Sequence, residues 1–553
     1  EAVARIESVL SRTEDHLRAA LWLAYLQADD GEPEPLLAHL EEFEERLEHG
    51  APTDHVLYHL TRARLRRRAG DTAAAAESAE AASLAGATEP RLLALVARAA
   101  RTLGDLRRAQ RAATSAVEGA PGMAEYRRLL AEILVERRDG ERALRVLSPL
   151  SMEDPDVLVL TAQAALTVGN QETLAVAKVA LDAHLEATGE EEVSVALQAL
   201  QIRLSSALGE SGSALRSARR LVRDNPDDVD AGIALAEAAL EENEATVAIE
   251  VLERVTTAAP EHPDAFGLLG RAHRMAGDGE AAETALRRAI EVRPGNQQAK
   301  LLLGYVLLDR GKYEEAEALY EEMALAGRPS VAARLGRIEA LLGLNRLDEA
   351  QTQFETLPEP TREGASGRQV SARIALAAGR PEDAVSALRP LAEAEGATSD
   401  TLAFFGDALY ATGDARAAGD VYDHVLDTDD FHPEALIGFA QVLIRGEKFR
   451  DATSYLDDAE VALTRRVRAP SVQARLLMLR GRIALEKNDG ADAREALRAA
   501  TALVGAPIEA FFWLGEALAG QNAPEARTAY EHFMESEPSG PLAARARRAL
   551  ERH

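Results

Sequence analysis

Small residues recur along the chain at a near-fixed spacing, within segments whose apolar positions follow a helical pattern. Fourteen alanines mark the repeat, and ten of the thirteen intervals between them are 34 residues long. A period of this length is typical of a solenoid, in which each repeat is one supersecondary unit that packs on its neighbours. The marker alanines are Ala75, Ala109, Ala143, Ala177, Ala214, Ala248, Ala282, Ala316, Ala350, Ala384, Ala418, Ala452, Ala493 and Ala526.

Each repeat contains two predicted helices separated by a tight turn. Glycine or asparagine stands five residues before ten of the fourteen alanines. Both residues tolerate the left-handed backbone conformation that ends a helix. Twelve residues before the alanine, eleven repeats have alanine or glycine. We therefore predict a helix A, a turn and a helix B in each repeat, with the two small residues where the helices cross.

This arrangement resembles the tetratricopeptide repeat family over about residues 55–540. The best-matching repeat carries the family's signature residues Phe266, Leu269, Gly270, Gly277, Ala282, Leu286, Ala289 and Pro294. The resemblance implies an all-α solenoid of about fourteen helix-turn-helix repeats that forms a right-handed superhelix. It also implies that helix A residues line a concave face, where members of the family bind peptides or proteins.

The repeat pattern predicts three regions in the chain. Residues 1–54 are expected to form an atypical helical cap, because a terminal unit has only one neighbour. Residues 55–540 form the repeat array, and residues 541–553 form a C-terminal capping helix.

The array is expected to be irregular near residues 178–194, 356–367 and 460–473. The first irregularity contains the acidic stretch Glu186–Glu192, and the second contains a loose loop at Pro358–Gly367. At the third, the interval between marker alanines is 41 residues. We place about seven extra residues around Thr464–Pro470, with a longer helix B before them.

Composition and charge exclude several classes of function. A net charge of −29 argues against nucleic acid as a partner, because an acidic surface repels phosphate. The chain has no cysteine, which excludes disulfides, thiolate metal sites and thiol catalysis. No apolar run reaches the eighteen residues that direct membrane insertion requires. Nucleotide-binding glycine loops and zinc-protease motifs are also absent, so we predict neither an enzyme nor a cofactor.

Only five of the 63 basic residues are lysine, a bias that suggests a GC-rich bacterial genome. The composition suits a protein of the periplasm or cell envelope and a cytoplasmic protein equally.

Two features leave a metal-binding alternative to be tested. His55 and His59 are four residues apart, so both could face one ion on a helix. His59 falls on a core position of helix A, however, which favours a structural role. The acidic residues Asp224–Asp230 lack the glycine and the terminal glutamate of a calcium loop, so we interpret them as helix-capping residues between repeats.

Arginine recurs eleven residues before the marker alanine, at positions expected to face the concave side. Residues 62–111 contain eleven arginines and five acids, a net charge of +6. Arginine is suited to bidentate contacts with carboxylate or phosphate groups, so the predicted partner is a protein or peptide with acidic segments. The candidate binding residues are Arg64, Arg67, Arg68, Arg91, Arg98, Arg101, Arg203, Arg271, Arg373 and Arg482.

Three alternatives compete with this interpretation. Arginines and acids of adjacent repeats can simply bridge each other, as the pairs Arg98–Glu132 and Arg203–Glu237 suggest. Residues 1–54, with a net charge of −10, can fold over the arginine-rich repeats. An apolar lining between Ile233 and Leu485 can instead supply the binding groove.

The sequence therefore favours a non-enzymatic scaffold or adaptor that binds partner proteins along its concave face. The alternative is the docking arm of a larger bacterial machine or enzyme, for example one that exports exopolysaccharide or assembles the envelope. A metal-dependent activity at His55 and His59 is the third hypothesis.

Overall fold

The computed structural model describes residues 16–28, 32–85, 88–188, 194–262, 264–325, 330–464, 470–537 and 540–552. Within these residues there are 33 α-helices and no β-strand, which confirms the predicted all-α solenoid. No helix in the described ranges is long and apolar enough to cross a membrane. The chain divides into two compact units, unit 1 (residues 1–242) and unit 2 (residues 243–553).

The described part of unit 1, from residue 16, starts with three short helices, which are followed by pairs of longer ones. Its helices are α1 Leu17–Gln27, α2 Pro33–Glu41, α3 Glu44–Leu47, α4 Pro52–Arg68, α5 Thr72–Leu84, α6 Pro90–Thr102, α7 Leu106–Gly119, α8 Ala124–Glu136, α9 Gly140–Leu147, α10 Pro155–Val168, α11 Gln171–Thr188, α12 Val195–Ala207, α13 Ser211–Asp224 and α14 Val229–Glu241.

Unit 2 continues the alternation of helices A and B and ends with a single helix. Its helices are α15 Ala245–Ala258, α16 Ala265–Met275, α17 Gly279–Val292, α18 Gln297–Asp309, α19 Tyr313–Leu325, α20 Val331–Gly343, α21 Leu347–Glu355, α22 Glu359–Glu363, α23 Ala365–Ala377, α24 Pro381–Ala392, α25 Ser399–Thr412, α26 Ala415–Thr428, α27 Pro433–Arg445, α28 Phe449–Leu463, α29 Pro470–Glu486, α30 Gly490–Thr501, α31 Ile508–Leu518, α32 Ala523–Ser536 and α33 Pro541–Leu550.

The predicted repeat register is confirmed at both of its markers. All fourteen marker alanines lie on a helix B, and none is more than 2% exposed. All ten predicted glycine or asparagine turns have a positive φ, between +56° and +95°. Arg138 and Glu447 occupy the same turn position with φ near +60°, although neither residue favours this conformation. The packing of the two helices therefore imposes the turn even where the local residue opposes it.

Glycine on helix A makes room for tyrosine on helix B. Tyr320 of α19 is 1% exposed, and a Cβ atom built on either Gly304 or Gly336 would lie 2.4 Å from its Cζ atom. The same packing recurs at Tyr422 between Gly406 and Gly438. A ring on helix B thus requires small residues on both of the A helices that it contacts.

The irregular places differ from the predictions in two respects. The predicted loop Pro358–Gly367 is mostly helical, because it forms α22 and the first turn of α23. A Cβ atom on Gly367 would lie 2.1 Å from the Thr361 carbonyl oxygen, so this glycine permits the two helices to meet closely. The acidic stretch Glu186–Glu192 begins within α11, and its part from residue 189 onward lies outside the described residues.

The extra residues before Ala493 mainly lengthen a helix A, and the helix B before them is longer by one residue. Helix α28 has 15 residues, against 14 in the preceding helix B, α26. Helix α29 has 17 residues, against 13 in the preceding helix A, α27. Residues 465–469 lie outside the described part of the chain. The added turn therefore projects from the N-terminal end of α29.

One buried carboxylate fastens the turn between α18 and α19. Glu283 of α17 is 7% exposed and accepts hydrogen bonds from Arg287 at 2.8 Å and from Lys312 at 3.0 Å. It also pairs with Arg310. Burial by itself would raise the pKa of Glu283, but the bonds from Lys312 and Arg287 outweigh it and lower the pKa below its ordinary value.

Glu283→Gln is expected to reduce the loss of folding stability that wild type shows as the pH falls into the acidic range. Because the folded-state pKa is depressed, the stabilisation is present above the unfolded value of about 4.3 and is lost as the pH falls through the folded value. Urea midpoints should therefore differ between the variant and wild type at pH 7 and converge toward pH 3. Glu280→Gln, at an exposed position of the same helix, is the control. A difference that stays constant down to pH 3 would contradict the assignment.

Candidate functional site

Four of the candidate arginines line one cavity in unit 1. The cavity has a volume of about 730 Å³ and lies between α1, α4 and α6. Three of the arginines project from the C-terminal part of α4 and one from α6, above an apolar floor. We call this cavity the arginine groove. Its lining residues are Tyr25, Leu60, Ala63, Arg64, Arg67, Arg68, Leu95, Arg98, Ala99, Thr102 and Leu103.

Helix α1 covers part of the arginine cluster with its aromatic rings. The guanidinium of Arg64 lies 5.1 Å from the centre of the Tyr25 ring. That of Arg91 lies 4.8 Å from the centre of the Trp22 ring. Cation–π contacts of this kind contribute about 0.5–1 kcal/mol at exposed sites. The contact between the N-terminal residues and the arginines was foreseen from charge, but aromatic faces make these two contacts.

Two neighbouring arginines at the end of α4 differ in their surroundings. Arg68 donates a hydrogen bond from Nη1 to the carbonyl oxygen of Ala28 at 2.6 Å. The Arg67 side chain is exposed and makes no ion pair or hydrogen bond with any residue that the structure describes. Arg67 is therefore the groove arginine that is available to a ligand without breaking an existing contact.

The expected pairing of Arg98 with Glu132 is wrong. Arg98 pairs with Glu125 at the start of α8, whereas Arg101 pairs with both Glu132 and Glu136. Arg101 lies one turn further along α6 than Arg98, and its two acids lie in the C-terminal half of α8, whereas Glu125 lies in its first turn. Burial by itself would lower the pKa of Arg101, but its bonds to Glu136 and Glu132 raise it above the ordinary value.

Two arginines outside the groove bridge adjacent A helices. Arg203 makes a bidentate contact with Glu237, with Nε and Nη2 at 2.6 and 2.9 Å from the two carboxylate oxygens. This contact confirms the predicted pair. Arg373 lies 3.9 Å from Glu339, at the limit of an ion pair. These residues link repeats, as the bridging alternative expects.

The last two candidates also lie apart from the groove. Arg482 stacks over Trp513, with 5.1 Å between the guanidinium carbon and the ring centre. Arg271 is half-buried on α16. The ten candidates therefore do not form one continuous ladder.

Much of the alternative apolar lining is packed inside the solenoid. Six of its eleven side chains are at most 8% exposed, so they pack between neighbouring helices. The buried ones are Ile233, Leu240, Leu308, Ile437, Ile444 and Met478. The half-buried ones are Leu301, Leu342, Leu376, Tyr410 and Leu485. This lining is discontinuous where it reaches the surface.

The two histidines on α4 are half-buried. The His59 ring lies 5.2 Å from the Tyr58 ring, in an edge-to-face arrangement. Burial, followed by the nearby charges of Arg62 and His55, lowers the pKa of His59. The ring is therefore neutral at pH 7 and packs as part of the helix.

Within the described residues, three side chains with possible metal ligands meet in unit 2: Asp400, His432 and Glu434. His432 is 1% exposed and caps α27, because its Nδ1 accepts a hydrogen bond from the Ala435 N–H at 3.3 Å. Its Nε2 therefore carries the proton and donates to Asp400 Oδ1 at 3.0 Å. Both ring nitrogens thus take part in hydrogen bonds, Nδ1 in capping α27 and Nε2 in the bond to Asp400. Nδ1 of His262 likewise accepts a hydrogen bond from the first residue of α16.

A polar rung that the sequence analysis missed crosses three A helices of unit 2. Asp407 Oδ1 accepts hydrogen bonds from Tyr422 Oη at 2.6 Å and from Arg475 Nη2 at 2.8 Å. Arg475 also donates to Gln441 Oε1 at 2.7 Å. The spacing of 34 residues from Asp407 to Gln441 and again to Arg475 was the available signal.

Two family models, both described as tetratricopeptide repeat, match the chain and together cover more than half of it. The chain belongs to the tetratricopeptide repeat family. This fold generally serves as a non-catalytic scaffold for protein interaction. The matched segments are residues 201–263, 267–330, 437–507 and 478–541 for one model and residues 100–166 and 307–374 for the other.

Solved structures of low identity are similar to the chain, and no curated protein sequence matches it. The APC/C hetero-tetramer Cut9–Hcn1 is 15% identical with a TM-score of 0.46, over 90% of this chain and 98% of that chain. A tetratricopeptide repeat protein from Parabacteroides merdae is 16% identical with a TM-score of 0.36, over 45% and 99%. MamA protein is 23% identical with a TM-score of 0.27, over 29% and 88%.

Proposed function

We propose that this protein is a non-catalytic scaffold that binds an acidic segment of a partner protein in the arginine groove. The observation that carries the proposal is the convergence of Arg64, Arg67, Arg68 and Arg98 on one cavity. In a chain with a net charge of −29, such a local concentration of positive charge attracts an acidic ligand to this place.

The groove combines a cationic rim with an apolar floor. Leu60, Leu95 and Leu103 lie beneath the guanidinium groups. A peptide that carries both apolar and acidic side chains can bury the former on the floor and pair the latter with the rim. This chemistry favours an acidic amphipathic segment over a purely charged one.

A substitution of Arg67 tests the groove most directly, because the Arg67 side chain has no ion pair or hydrogen bond with the described residues that the substitution would break. Reversal of Arg98 or Arg101 would also break the ion pairs with Glu125, Glu132 or Glu136. A change in binding would then be confounded with a change in packing. Arg67→Glu introduces repulsion in the groove and leaves those contacts intact.

Binding can be measured by fluorescence anisotropy with an array of 15-residue peptides, in which each acidic amphipathic peptide is matched by a Gln/Asn version. We expect selection of acidic members, and we expect Arg67→Glu to weaken their binding about tenfold, which corresponds to ~1.4 kcal/mol. Binding should also weaken from 0.1 to 1 M salt, because the screening length falls from ~10 to ~3 Å.

The matched control is Arg111→Glu, which makes the same charge change at an exposed position of α7 outside the groove. It should leave binding nearly unchanged. Equal losses for the two reversals would indicate a general charge effect. If the acidic peptides and their Gln/Asn versions bind equally well, the proposal that the arginine groove binds an acidic segment is wrong.

A further inference from the structure

Within unit 2, a turn lies against the start of helix α29 and the segment after α30, which follow it by 159 to 194 residues. A Cβ atom built on Gly311, in the turn between α18 and α19, would lie 3.1 Å from Pro470 Cγ and 3.6 Å from Val504 Cβ. A Cβ atom on Gly505 would lie 3.1 Å from Ser471 Cβ and 3.6 Å from Tyr313 Oη. The repeats marked by Ala316 and Ala493, which are five intervals apart, therefore touch.

The contact distinguishes this turn from five of its counterparts. Gly311 has a φ of +70°, like its counterparts in other repeats. A Cβ atom on any of the corresponding turn glycines Gly70, Gly104, Gly209, Gly379 or Gly413 would have no heavy atom within 4 Å. Tyr313, two residues after Gly311, packs its ring against Gly343 of the next helix A, and its Oη lies 3.6 Å from the Cβ position of Gly505. The distant residues thus cover this turn, whereas those five turns are open.

Local features of the structure position the residues on both sides of the contact. On one side, Glu283 holds Arg310 and Lys312, the two residues that flank Gly311. On the other side, the added N-terminal turn of α29 supplies Pro470 and Ser471. The 41-residue interval, which breaks the regular period of the array, therefore provides half of the contact.

We propose that Gly311, Tyr313, Pro470, Ser471, Val504 and Gly505 form a clasp that fastens unit 2 onto itself. In an ordinary solenoid each repeat touches only its neighbours, so the array bends easily and can unfold in steps. The clasp couples repeats that are five apart, so it fixes the curvature of the repeats between them.

A disulfide across the clasp tests this directly, because the chain has no cysteine of its own. The distance of 3.6 Å between the Gly311 Cβ position and Val504 Cβ is within the range of about 3.5–4.5 Å for disulfides. The full-length Gly311→Cys/Val504→Cys variant should form an intramolecular bond on mild oxidation. The product should migrate faster on a non-reducing gel, and both thiols should be lost to titration.

The matched control is Gly379→Cys/Val504→Cys. Gly379 has the same turn conformation, with φ +69°, so the two variants carry equal backbone strain. Because a Cβ atom on Gly379 would have no heavy atom within 4 Å, this pair should stay reduced. Equal oxidation of both pairs, or a folded first variant that stays reduced, would overturn the clasp.

A second measurement covers the case in which the cysteine in the turn impairs folding. Spin labels at the exposed positions Glu314 and Ala502 should report a shorter distance than labels at Glu382 and Ala502. Glu314 and Glu382 occupy the same position of their repeats, two residues before the marker alanine. The opposite order of distances would show that the clasp is open in solution.

Discussion

Asp407→Ala is expected to destabilise unit 2 by about 3 kcal/mol. The substitution removes the acceptor of the hydrogen bonds from Tyr422 and Arg475 and leaves the guanidinium without its counter-ion. Loss of one partner of a buried ion pair costs about 3–5 kcal/mol. The side chains of Asp407 and Arg475 are 24% and 22% exposed, so water screens part of the charge and the lower end of that range applies.

Urea denaturation at pH 7 measures this loss, and two further variants divide it. Asp423→Ala, at an exposed position of α26, should be nearly neutral. Asp407→Asn keeps an oxygen that can accept the Tyr422 hydrogen bond but removes the negative charge. Most of the loss should therefore persist in this variant if the charge of Arg475 dominates. Equal stability of the Asp407 and Asp423 alanine variants would show that the rung contributes nothing.

Gly304→Ala is expected to destabilise the fold by about 1–3 kcal/mol, although alanine normally favours a helix over glycine. The new methyl group would lie 2.4 Å from Tyr320 Cζ, which is far inside van der Waals contact. Tyr320 is 1% exposed, and Gly336 confines it from the other side. The ring therefore cannot move away without displacing a second helix.

A double-mutant cycle with Tyr320→Leu tests this explanation. In other repeats an alanine on helix A accompanies a leucine on helix B, as at Ala236 with Leu252. Leucine at position 320 should relieve the clash, so Gly304→Ala should cost much less in that background. The Tyr320 hydroxyl has no hydrogen-bond partner among the described residues, so leucine loses none. Additive losses in thermal or urea unfolding would contradict the steric account.

The repeat register could be read from the sequence because its signals are local and occur many times. Three signals mark each repeat: the marker alanine, the turn glycine and the small residue on helix A. Each is required by the geometry within one helix pair. A tight turn needs a positive φ, and two helices that cross closely need small side chains. Repetition over fourteen units makes such a pattern clear even though single repeats deviate, as at Arg138 and Glu447.

The partners of the charged side chains could not be read in the same way. Arg98 was expected to bridge to Glu132 but pairs with Glu125, whereas Arg101 takes the predicted acid. A shift of one helical turn, about 5.4 Å, changes the partner of a long side chain. Such a shift depends on the packing of whole helices, which the period does not encode. The contacts of Arg64 with Tyr25 and of Arg91 with Trp22 are decided in the same way.

The sequence by itself determined the all-α solenoid, the positions of helices A and B and the excess of arginine in the first repeats. The tertiary structure alone decided which arginines converge on one groove. It also brought Gly311 against Val504 across 193 residues of chain. The physical reason is that the rotation between neighbouring repeats accumulates along the array. A local pattern specifies each step, but only the sum of the steps determines which distant residues meet.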